Sequence, residues 1–90
     1  PALAAEQARE ILRVVPHSAD ALLLLGLALA AQGRIDEAVV PLREAARRNP
    51  ESYETWRALG DQLVLTGDNA GADFAFAQQL RCQATDPVLQ

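Results

Sequence analysis

Pro16 and Pro50 stand 34 residues apart, and the same interval separates Ser18 from Ser52, Leu25 from Leu59, Gly26 from Gly60, Gly33 from Gly67 and Ala38 from Ala72. A 90-residue chain that echoes itself at this period is a helical array. Each period holds one supersecondary unit that cannot bury its apolar face alone, so successive units stack. Stacked units make an extended surface for a partner more readily than an enclosed pocket for chemistry.

Punctuation and apolar periodicity predict five helices, over residues 2–14, 18–32, 35–48, 52–66 and 69–83. The connections are short, so helices adjacent in sequence must lie antiparallel in space. Ser18 and Ser52 each follow a proline-terminated helix and place a hydroxyl where the next helix has free backbone N–H groups. Gly33 and Gly67 fall where the first helix of each pair ends, a position that favours left-handed backbone. Asp68 can cap the last helix. Half of the residues are apolar, alanine is abundant, and the aromatic residues are Tyr53, Trp56, Phe74 and Phe76 alone, a helical rather than a strand composition.

Two stretches carry a known pattern. Leu22-x2-Leu25-Gly26-x2-Leu29, Ala38-x3-Leu42 and Pro50 are followed by Trp56-x2-Leu59-Gly60-x2-Leu63 and Ala72-x3-Phe76. This resembles the tetratricopeptide repeat, a 34-residue pattern of W-x2-L-G-x2-Y, A-x3-F and P. The resemblance implies an all-α, right-handed solenoid of helical hairpins. In that frame residues 1–90 are a single domain: 1–17 the second helix of a truncated repeat, 18–51 and 52–86 two full repeats, and 87–90 the start of a further segment. Ala4, Arg9, Glu10, Arg13 and Pro16 align with Ala38, Arg43, Glu44, Arg47 and Pro50, as that division requires.

Mid-helix glycine costs about 1 kcal/mol against alanine, so Gly26 and Gly60 must gain something in return. The expected gain is close approach of the paired helix, with Ala38 and Ala72 as the small partners. Leu22, Leu25, Leu29 and Leu42, with Trp56, Leu59, Leu63 and Phe76, then fill the surrounding space, which makes Trp56 a core residue rather than a ligand-stacking one. Pro41 departs from a smooth helix and is expected to kink it without breaking it. Pro87 arrives three residues later than the spacing requires, so the last helix runs on or ends in a looser turn. No polar capping helix is visible at either end, so apolar faces should be open and homo-oligomers can form through them.

Composition excludes several classes of function. The net charge is −4, with twelve acids against eight arginines and no lysine, and no basic face for nucleic acid is visible. The longest apolar run, Ala21 to Ala31, falls short of the about 20 residues a membrane span needs. A single Cys82 cannot form an internal disulfide, which suits a reducing cytoplasm, and it reads as a small apolar residue near a helix end. His17 is the only histidine and sits in an interhelix turn, so no metal or cofactor site is expected. Gly67 and Gly71 lack the Lys-Ser/Thr sequel of a phosphate loop. Asp36 and Glu37 read as first-turn acids favoured by the helix dipole, and Arg57 with Asp61 as a surface i,i+4 ion pair. An enzyme is not expected. The chain opens on Pro1 in mid-repeat, which suggests a piece of a longer protein.

The leading functional expectation is a protein-interaction scaffold that takes a peptide or partner helix in a concave groove. In the resembled family that groove is lined by first helices, here Asp20, Leu23, Leu27 and Ala30 from one repeat and Glu54, Arg57, Asp61 and Val64 from the next. Members that clamp a peptide's terminal carboxylate use Lys, Asn and Arg at such positions, and Leu23 and Leu27 do not fit that role. An apolar strip beside Arg57 and Asp61 suits an amphipathic helix or hydrophobic segment. Equally, these leucines could pack only against a neighbouring repeat. The alternative function is a non-catalytic accessory module of a larger enzyme, since Trp56 to Asp61 with Gly67-Asp68 and Gly71-Ala72-Asp73 is similar to repeats preceding sulfotransferase-like domains. The arginine-only, alanine-rich composition hints at a bacterial source of high genomic G+C.

Overall fold

A computed structural model describes residues 2–85. Five helices follow one another: α1 (Ala2–Val14), α2 (Ala19–Ala31), α3 (Ile35–Arg48), α4 (Tyr53–Thr66) and α5 (Asn69–Thr85). Each packs antiparallel on the next through a short turn. The result is an all-α helical-hairpin repeat. The late Pro87 and the segment 87–90 lie outside the described residues, and α5 runs two residues beyond its expected end at 83.

The predicted punctuation has a mechanism at each end. Ser18 Oγ accepts from the Ala21 N–H at 3.1 Å, and Ser52 Oγ accepts from the Thr55 N–H at 3.4 Å and the Thr55 hydroxyl at 3.0 Å. Gly33 and Gly67 take φ of 79° and 88°, the left-handed region where a side chain is strained. That turn lets the next amide reach back, so Arg34 N–H donates to the Leu29 carbonyl and Asp68 N–H to the Leu63 carbonyl, both at 2.9 Å. Asp68 then caps α5 by accepting from the Gly71 N–H at 2.9 Å. At α3, by contrast, no side chain caps the N-terminus. Its first turn is held instead by Arg34, whose guanidinium grips both oxygens of Glu37 at 2.6 and 2.7 Å. The helix continues without a break through Pro41, which is buried.

Leu29, Ala38, Leu42, Ala46, Ala58, Leu59, Leu63, Ala72 and Ala75 form the core, with Trp56 and Phe76 packed against it. Small residues let the helices close up around a few large ones. The glycine contacts are more specific than the spacing predicts. At Gly26 the Ala38 carbonyl lies 3.3 Å from where a Cβ would stand, and the Leu42 Cδ2 would lie 2.5 Å from that Cβ. At Gly60 the ring of Phe76 takes the same place, with Cε1 at 2.5 Å. Each glycine is thus a socket for the large residue sixteen positions later.

The Pro50 carbonyl ties the turn between α3 and α4 to both following helices. It accepts the Trp56 Nε1–H at 2.8 Å and the Cys82 thiol at 3.2 Å. Cys82 is buried, as its apolar reading expects. Trp56 is half-buried and meets Phe74 edge to face, ring centres 5.8 Å apart.

The molecule is a slab 35 × 30 × 18 Å, about two helices thick. Among the described residues the backbones of α2 and α4 approach one another, whereas those of α1 and α3, and of α3 and α5, stay further apart.

Candidate functional site

A cavity of about 270 Å³ opens between α2 and α4, lined by Leu23, Leu27, Tyr53, Glu54, Arg57, Ala58, Asp61 and Gln62. Five of the eight residues that the sequence nominates therefore meet here: Leu23, Leu27, Glu54, Arg57 and Asp61. Asp20 is exposed one turn before Leu23 on α2, outside the lining. Ala30 packs against the core and Val64 is half exposed beyond the cavity. The two leucines divide between roles, since Leu23 also packs against the core whereas Leu27 remains 45% exposed.

Tyr53, Ala58 and Gln62 belong to the lining and were not nominated. Their positions have a helical logic. Side chains four apart form the surface ridges of a helix, and on α4 the rows 53-57-61 and 54-58-62 run side by side along the cleft. A nomination that follows a single stripe collects only part of two ridges.

Several charges outside the cavity are paired. On the other helices Glu10 pairs with Arg13, Glu37 with Arg34, and Glu44 with both Arg47 and Arg48, at 2.6 to 3.0 Å. The hydrogen bond to Arg34 holds the Glu37 carboxyl below its ordinary range and raises the Arg34 guanidinium in turn. The hydrogen bond to Arg48 lowers Glu44 in the same way, with Arg47 and His17 adding to it through their charge. The i,i+4 pair expected between Arg57 and Asp61 does not form, because neither residue has an ion pair or side-chain hydrogen bond, and nor does Glu54. In addition, Gln62 Oε1 is covered from solvent and has no hydrogen-bond partner. On the α2 side the cleft is apolar, and on the α4 side Glu54, Arg57, Asp61 and Gln62 make no side-chain hydrogen bond or ion pair among the described residues.

A second cleft of about 290 Å³ lies on the opposite side, floored by Leu59, Leu63, Trp56 and Phe74, with Arg43 and Arg47 at its rim. Phe74 is 60% exposed there. His17 is exposed in the turn between α1 and α2. Among the described residues no group of three His, Cys, Asp or Glu side chains is placed to hold a metal ion, and no helix is long and apolar enough to cross a membrane.

A family profile described as tetratricopeptide repeat matches residues 19–61, from the start of α2 into α4. Tetratricopeptide repeat protein 7A of Homo sapiens is 35% identical over 81 residues, which is 90% of this chain and 9% of that protein. Tetratricopeptide repeat protein 7B of Mus musculus is 31% identical over 80 residues, 89% of this chain and 10% of that protein. The chain thus spans about a tenth of the length of these relatives. With two glycine sockets in register, paired αL turns and consecutive antiparallel hairpins beside these matches, the chain belongs to the tetratricopeptide repeat family.

Proposed function

We propose that the chain is a non-catalytic protein-interaction scaffold whose α2–α4 cleft takes side chains from a peptide or partner helix. Tetratricopeptide repeats in general are such scaffolds, and the cleft with its unpaired polar wall is the observation that supports this role here. Its volume is just below the range of small-molecule pockets, about 300–1,000 Å³, and suits one or two side chains of a larger partner. We read α1 as the second helix of a preceding repeat, and residues 18–51 and 52–86 as two full repeats. Placement in a reducing cytoplasm is part of the same proposal and is supported by the single buried thiol.

Accessory service inside a larger protein uses the same cleft, and the far greater length of the matched relatives favours considering it. The groove itself is tested by titrating a labelled amphipathic helical peptide and an acidic C-terminal peptide against wild type and Leu27→Asp. The amphipathic peptide should bind better, and Leu27→Asp should abolish that binding. Preference for the acidic peptide, unchanged by Leu27→Asp, would reject the apolar groove.

A further inference from the structure

We infer that the α2–α4 cleft selects a cationic partner segment, a helix whose apolar face is flanked by arginine or lysine. This rests on the proposed groove and adds the chemistry of its occupant. Glu54 and Asp61 are exposed carboxylates that line the cleft without a cationic partner. The Gln62 side chain lines the same stretch of α4, its Oε1 shielded from solvent and without a hydrogen-bond partner. Arg57 is the one cation of the lining against the two carboxylates, so the charge of the lining is negative. Arginine and lysine bring donors only, no acceptors.

The apolar wall sets the rest of the ligand. Leu27 stays 45% exposed beside Leu23, so a buried aliphatic side chain from the partner removes apolar surface from both proteins. A cation on the partner's next helical turn then faces the carboxylates of α4. At longer range the net charge of −4 attracts the same partner and repels an acidic one. On α1 and α3, by contrast, Glu10, Glu37 and Glu44 are each already paired with arginine.

The test uses two conformationally stapled amphipathic peptides that share one leucine face and differ only in flanking lysines or glutamates. The lysine peptide should bind wild type at least about tenfold more tightly, a gap of about 1.4 kcal/mol, and high ionic strength should narrow it. Glu54→Gln with Asp61→Asn should erase the preference, whereas Asp36→Asn, an equally exposed acid on α3, should not. These positions are solvent-exposed, so the variants should fold, and circular dichroism checks that they do. Equal affinity for the two peptides, with binding still lost in Leu27→Asp, would overturn the charge selection and leave the groove standing. Lysine-peptide binding untouched by Leu27→Asp would overturn both. Loss of preference in Asp36→Asn as well would show that net charge, not the cleft, makes the choice.

Discussion

At Gly26 and Gly60 one missing methyl group decides how closely two helices approach. Glycine in mid-helix costs about 1 kcal/mol, and the return is a fully buried Leu42 and a Phe76 ring seated where a Cβ would stand. Burying one such side chain contributes about 1.5–3 kcal/mol, so the exchange favours glycine. Gly26→Leu and Gly60→Leu should each destabilise the fold by about 1–3 kcal/mol through overpacking. Adding Leu42→Ala to Gly26→Leu should recover part of the loss, because the new side chain enters the space vacated. Urea denaturation of wild type, Gly26→Leu, Leu42→Ala and the double variant measures this, and strictly additive effects would contradict the socket.

At the scale of the element, α3 starts without a side-chain cap and rests on an ion pair instead. The other observed side-chain caps are the hydroxyls of Ser18 and Ser52 and the carboxylate of Asp68, whereas α3 relies on the Arg34–Glu37 fork and ends on Glu44 bridged to Arg47 and Arg48. Both glutamates are held below their ordinary pKa, each chiefly by its arginine hydrogen bond. Their stabilisation is therefore complete above the unfolded value of about 4.3 and is lost as pH falls through the lower folded value. Stability should decline on that acid side, and Glu37→Gln with Glu44→Gln should flatten the decline. Both sites are open to solvent, so the effect should be small and shrink further in salt. A pH series of urea melts reads it directly.

On the scale of the whole molecule, apolar surface is unevenly covered. Leu3, Ile11 and Val14 of α1, with Val15 just after it, are 45–82% exposed, and Leu80 of α5 is 66% exposed. Leu12 of the same helix is half-buried. Contiguous exposed apolar surface favours association, so sedimentation should show concentration-dependent dimers. Ile11→Glu with Val14→Lys should return the chain to monomer. A wild type that stays monomeric at millimolar concentration would refute this.

Helix number, order and all the main turns follow from short-range signals, because serine caps, αL glycines and apolar periodicity act within a few residues. Gly33 and Gly67 are readable for this reason: a left-handed residue after a helix needs no knowledge of what packs nearby. Contacts across the repeat were another matter. That Leu42 and not Ala38 fills the Gly26 socket depends on how two helices cross. The joint hold of Trp56 and Cys82 on the Pro50 carbonyl links residues that only the stack brings together. The cleft shows the same division. Leu23 with Leu27, and Glu54 with Arg57 and Asp61, each share a face of their own helix by periodicity, while their meeting between α2 and α4 is what the family resemblance implied. The shielded oxygen of Gln62 arises from the tertiary structure, and the i,i+4 spacing of Arg57 and Asp61 permits an ion pair without requiring one.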